Sequence, residues 1–134
     1  MTVALAVAAA AHAGFQLTVT VLVYPALARV PPDEWAVAHA RHSRAITPLV
    51  VVTYGALLLA SGTALAVEPG GWVLLSAGGF ATCLLLTALL AAPTHARLAD
   101  GPDPVLLARL LREDRIRAVG ACVSLAGALG ALLA

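Results

Sequence analysis

The chain has 134 residues, of which 61% are hydrophobic and 11% charged, with a formal net charge of +1. Average soluble domains carry about 25% charged residues, and a small domain has too much surface for its volume to hide this much apolar area from water. This composition excludes an ordinary soluble domain, and the small net charge, with no basic stripe interleaved with aromatics, excludes a nucleic-acid-binding protein.

The length allows one domain, residues 1–134, read as an all-α integral membrane four-helix bundle. The first apolar run extends from about Val3 to Ala28. It lacks the positive leading segment of a signal peptide and continues past Gln16, so it is read as the first membrane span. Span two is expected from about Ala45 to Val67, span three from about Gly71 to Ala92, and span four from about Ala118 to Ala134. Each approaches the ~20 residues that cross a hydrocarbon core.

Polar punctuation divides the spans. Pro31, Pro32, Asp33 and Glu34 predict a helix start, with proline and acids in its first turn. Pro48 predicts a kink where helix two enters the membrane. Glu68-Pro69-Gly70-Gly71 reads as a tight turn. Asp103 reads as the N-cap of a fourth helix that begins at Pro104 and lies amphipathically at the interface before entering the membrane. Glu113 and Arg117 stand i,i+4, the spacing of a helical ion pair. Gly78-Gly79 and Gly127 with Gly130 are candidate points of close helix approach. Cys83 and Cys122 lie in apolar runs, match no metal or redox spacing, and read as small packing residues.

There are no lysines, and the arginines cluster in two places: Arg29, Arg41 and Arg44 around loop one, and Arg97, Arg109, Arg112, Arg115 and Arg117 around loop three. Loop two and both termini carry none. Four spans put loops one and three on the same side. The positive-inside rule makes that side cytoplasmic and both termini external, in an inner or plasma membrane.

Histidines are the conspicuous polar groups. His12, Gln16, Thr20 and Tyr24 recur at i+4 steps, a polar stripe that should face the bundle interior. It serves either as an interhelical packing device or as the wall of a functional cavity. His39 and His42 are i,i+3 near the start of helix two, and His95 ends span three on the same membrane side. They form either a solvated interfacial set or a metal-ligating face. His12 joins them in one four-histidine site or stands apart. Asp114 and Arg117 belong either to a solvated charge cluster with Glu113 and Arg115 or turn inward as acid–base or anion-binding groups. Tyr54 is a further candidate for a wet interior. No Ser-His-Asp signature, phosphate loop or C-x-x-C is present.

Several short motifs are similar to those of the anthrone-oxygenase-like family of small membrane proteins, long catalogued as a domain of unknown function. They are Gly14-Phe15, Tyr24-Pro25-Ala26-Leu27, the polar loop leading to Pro48, Ala92-Pro93-Thr94-His95-Ala96-Arg97-Leu98, and Arg117 at the opening of span four. The likeness covers nearly the whole chain; family members typically carry asparagine where His95 stands. It implies oxidation of aromatic polyketide-type substrates, as in some members.

The first functional expectation is therefore a membrane-embedded, metal-dependent oxidoreductase or oxygenase acting on an apolar, aromatic molecule that enters from the lipid. His39, His42 and His95 would hold a transition metal (copper, iron or zinc), with His12 as a further ligand or proton carrier. Gln16 and Tyr24 would be hydrogen-bond partners, and Asp114 and Arg117 acid–base or anion-binding groups. The second expectation is a non-catalytic transporter, metal carrier or assembly factor, working as a homo-oligomer. The third is a structural subunit of a larger complex.

Overall fold

The computed structural model describes all 134 residues. Four helices dominate it: α1 (Thr2–Leu27), α2 (Trp35–Val67), α3 (Gly71–Leu98) and α4 (Pro104–Leu133). Each is long and apolar enough to cross a bilayer, and no strand is present, so the chain is an all-α, multi-pass membrane bundle. α1 packs on α2 and α4, and α3 packs on α4 and α2, closing a four-membered ring of sequence neighbours. Val21, Val52, Leu59, Leu89 and Val119 are exposed on the outside of this ring. In water that surface would be an aggregation liability; against lipid tails it carries no penalty.

The connections follow the local chemistry of the sequence, with one correction. Asp103 caps α4 as its position predicted, its carboxylate accepting the Val105 and Leu106 N–H groups at 2.7 and 3.1 Å. Gly101, just before it, has φ 150°, a conformation that side chains resist. α2 begins at Trp35, and Pro31–Glu34 form the turn before the helix rather than its first turn. Pro48 lies inside an α-helix that continues without a break to Val67.

The sites of helix distortion are Pro25 and Pro93. A proline in a helix leaves one carbonyl without its N–H partner and crowds it with the ring. In α1 the turn Val19–Val23 widens to π-helical spacing and the Tyr24 N–H bonds to the Val19 carbonyl. In α3 the turn Thr87–Ala91 does the same, with the Ala92 N–H on the Thr87 carbonyl. Each widened turn ends just before a residue–proline step, Tyr24-Pro25 or Ala92-Pro93, so the two helices share the same device.

The far end of the bundle is held by small residues. Ser76 and Ser124 hydroxyls meet at 3.3 Å across the α3–α4 seam. A methyl group at Gly79 would lie 2.6 Å from the Gly120 carbonyl oxygen and from the Ser124 nitrogen, and one at Gly127 would collide with the Ser76 backbone. Of the glycines expected at contacts, Gly79, Gly127 and Gly130 lie against a partner helix, whereas Gly78 faces open space. Cys83 is buried in this seam, its thiol donating to the Arg117 carbonyl at 3.1 Å. Cys122 is exposed and takes no part in the packing expected of it.

Candidate functional site

The i+4 stripe of α1 faces inward as its spacing predicted. His12, Gln16 and Tyr24 are buried and Thr20 is half-buried. Helix α4 answers with Asp114 and Arg117, which are 1% and 5% exposed. The solvated-cluster reading of these two residues is thereby overturned, and so is the Glu113–Arg117 pair. Arg117 bonds Asp114 at 2.7 Å, while Glu113 pairs with Arg109 at 2.6 Å. The physical reason is the demand of buried charge. A guanidinium carries five donors, and away from water each charge needs an opposite charge and further hydrogen bonds.

That demand assembles a network from all four helices. Asp114 Oδ1 accepts from Arg117 Nη2 and from Gln16 Nε2, both at 2.7 Å. Arg117 Nη2 also donates to the Tyr24 hydroxyl at 3.3 Å, and Nη1 to Thr87 Oγ1 at 3.2 Å. The guanidinium carbon lies 5.8 Å from the centroid of the Tyr24 ring. Thr87 Oγ1 is in turn 2.9 Å from the Tyr54 hydroxyl. Thr87 sits in the widened turn of α3, and it escaped the sequence reading because it stands alone in a run of Leu and Ala. The signal that marks it is Pro93 downstream, which forces the widened turn.

The histidines of α2 and α3 gather at the loop-one and loop-three end. Trp35, one turn before His39, donates its indole N–H to the Leu98 carbonyl at 2.8 Å, satisfying a carbonyl at the end of α3 and latching the two helices. His39 stacks on Trp35 with ring centroids 5.3 Å apart. His95 Nδ1 lies 3.3 Å from His39 Nε2, and His95 Nε2 lies 2.8 Å from the Tyr24 hydroxyl. His42 stacks on His95 at 5.5 Å and an interplanar angle of 22°. Three histidines from two helices thus meet, as the topology predicted. His12 stands apart: its ring packs edge-on against Tyr54 and Phe80, at 4.6 and 5.7 Å between centroids, and both its nitrogens lack partners.

The metal-ligand roles expected for His39, His42, His95 and His12 do not fit this arrangement. Ligands converge their lone pairs on one point. Here His42 lies face to face with His95, both nitrogens of His95 are engaged by Tyr24 and His39, and no three His, Cys, Asp or Glu side chains form a group able to hold a metal ion.

What the network does border is a chamber of about 300 Å³ between α1, α2 and α3. Its lining is apolar at Phe15, Val19, Ile46, Val50 and Ala91 and polar at Gln16, Tyr24, Tyr54, Thr87, His95 and Arg117. Ser43, Thr47 and Val51 of α2 and Ala92 of α3 complete the lining; Thr47 and Val51 are also exposed on the outside of the bundle, so the chamber reaches the lipid-facing surface there. This volume is at the lower end of small-molecule sites, which typically combine apolar walls with a few convergent polar groups. A cation, two phenols and an imidazole lining one chamber can hold an oxyanion and exchange a proton with it. The chain matches no family model, no curated protein and no solved structure, so the residues themselves carry the functional argument.

Proposed function

We propose that this protein is a membrane-embedded oxidoreductase of the oxygenase type, which takes an apolar aromatic molecule bearing an acidic hydroxyl or enol from the lipid and ionises it for oxidation. The carrying observation is Arg117, a buried cation bonded to Tyr24 and facing the chamber wall beside His95. A charge buried among membrane helices is costly and marks a functional position by default. The Asp114–Gln16 side neutralises and orients Arg117. Arg117 and the Tyr24 hydroxyl stabilise the developing oxyanion, and His95 receives the proton by way of Tyr24. The apolar lining residues accept the aromatic body, and the lipid-facing edge at Thr47 and Val51 admits it from the bilayer.

The oxidant is dioxygen, itself soluble in apolar surroundings. With an anthrone-type substrate, loss of a proton leaves an electron-rich anion. Its central CH₂ carbon becomes a carbonyl, one oxygen atom enters the product and the other leaves as water with the two hydrogens. The likeness of the Tyr24-Pro25 and Pro93-Thr94-His95 motifs to anthrone-oxygenase-like proteins supports the same substrate class. The arginine distribution supports a plasma- or inner-membrane location with loops one and three cytoplasmic. Arg117 is spent inside the bundle, but the other arginines remain on that side.

The test is turnover by the purified chain in lipid nanodiscs, followed as oxygen uptake and quinone formation from an anthrone. Tyr24→Phe should lower kcat/KM by about 10²-fold, the range of a lost proton-transfer or oxyanion group. Absence of both turnover and binding in the wild type would sink the reading. Vesicles that accumulate the unchanged compound would replace it with a carrier.

A further inference from the structure

The chamber has a neighbour. A groove of about 500 Å³ lies on the outside of the bundle at the loop-one end, bordered by Ala36, Ala40, Arg44 and Ala99, all exposed. Only two residues line both the chamber and the groove: Ser43 and His95. His39 lines the groove and not the chamber, and Tyr24 the chamber and not the groove. Between these two side chains stands the His95 ring, one nitrogen 2.8 Å from the Tyr24 hydroxyl and the other 3.3 Å from His39 Nε2. The exposed Arg41, Arg44 and Arg97 surround this end and place the groove at the polar membrane boundary.

We infer that Tyr24, His95 and His39 form a proton wire joining the buried chamber to the polar boundary, with His39 as its outer terminus. The inference rests on the chamber being an ionising site. In the resting arrangement Tyr24 donates to His95 Nε2, and His95 donates from Nδ1–H to His39 Nε2, leaving a proton on His39 Nδ1. Arg117 favours this arrangement, because it donates to the Tyr24 oxygen and leaves the phenolic proton free to point at His95. When a bound hydroxyl ionises, its O–H bond breaks, the electron pair stays on the substrate oxygen and the proton passes to the Tyr24 oxygen. The Tyr24 proton moves to His95 Nε2, the His95 Nδ1 proton to His39 Nε2, and the His39 Nδ1 proton to water in the groove. One proton leaves the chamber and neither ring is left charged. The wire ends in the opposite pair of tautomers, which satisfies the same two hydrogen bonds in reverse and resets when a proton returns inward. Stacking explains the order of the rings: Trp35 fixes the plane of His39, and His42 fixes that of His95. The groups facing the wire are Arg117 at Tyr24, His42 at His95 and Arg44 at the groove.

The experiment uses the full chain in nanodiscs and 4-nitrophenol, whose anion absorbs visible light, as the probe. Bound probe is followed after a rapid pH jump. His39→Phe keeps a flat ring on Trp35 but removes both nitrogens. It should slow ionisation about 10- to 100-fold while leaving probe affinity and final amplitude unchanged, and free imidazole should restore the rate. His39→Asn serves as the second variant, and in the wild type a series of H₂O–D₂O mixtures should give the bowed rate dependence of several protons moving together. A wild-type rate in either variant overturns the wire while leaving the chamber reading intact. Slowing that imidazole does not relieve, or a straight isotope dependence, overturns it too, assigning His39 a packing role. A wild type that binds no probe, or binds it without ionising it, removes the chamber reading and the wire together.

Discussion

The two ends of this bundle solve opposite problems with the same four helices. At the loop-two end, α3 and α4 press backbone against backbone through Gly79, Gly120, Gly127, Ser76 and Ser124, leaving no room for anything else. At the other end the helices are held apart by Tyr24, Trp35, His42, His95 and Arg117, and the space between them is a chamber. Lipid tails are as apolar as leucine, so burial of apolar side chains gives helices little reason to associate. Close van der Waals approach supplies that reason at one end, and a hydrogen-bonded ion pair supplies it at the other. Beside the chamber, Asp114 Oδ2 and Arg117 Nε are buried without a hydrogen-bond partner.

Four substitutions, the first also combined with Asp114→Leu, probe this division, in decreasing order of effect. Arg117→Met strands the Asp114 carboxylate in a site with 1% exposure and should destabilise the bundle by about 3–5 kcal/mol in a reversible detergent or lipid unfolding assay. Adding Asp114→Leu should recover most of that stability, since apolar replacement of a whole buried pair is often neutral, yet activity should stay lost. Recovery of both would mean the pair is structural only. Gly127→Ala places a methyl group against the Ser76 backbone and should cost about 1–3 kcal/mol, with chamber binding retained in the molecules that remain folded.

Tyr54→Phe removes the hydroxyl that meets Thr87 and should cost about 1 kcal/mol in the same assay, with a larger relative loss in probe affinity, because Tyr54 lines the chamber. Equal losses in stability and affinity would blur the distinction between frame and site. Gly78→Ala is the control with the smallest effect: nothing lies within 4 Å of the added methyl, so stability should stay within about 0.5 kcal/mol of the wild type. A large loss there would show that the far end depends on more than the one glycine face. Independently, reporter fusions after residues 70 and 101 should report opposite sides of the membrane, the first outside and the second cytoplasmic; the same side for both would break the four-span topology.

Much of the architecture was legible in the residues. Apolar composition and the run lengths dictate four membrane helices, because an unpaired backbone cannot remain in hydrocarbon. The i+4 recurrence of His12, Gln16, Thr20 and Tyr24 dictates an inward face, and Asp103-Pro104 dictates where α4 begins, because both signals are local to one helix. The shared membrane side of His39, His42 and His95 also follows from topology alone. The tertiary structure decided which of these groups touch. Arg117 had Glu113 and Asp114 both within one helical turn, and it took Asp114 because Gln16 and Tyr24 of another helix complete that arrangement. The three histidines had the spacing of ligands, but the Trp35 latch and the Tyr24 hydroxyl turned them into a stack with its nitrogens in line. His12 was left among Tyr54 and Phe80, one core away. The widened turns arose at Pro25 and Pro93, whereas Pro48 left its helix unbroken. A helix-local signal needs only its own backbone, whereas the choice of partner for a buried polar group depends on what every other helix offers at that depth, and sequence spacing does not contain that.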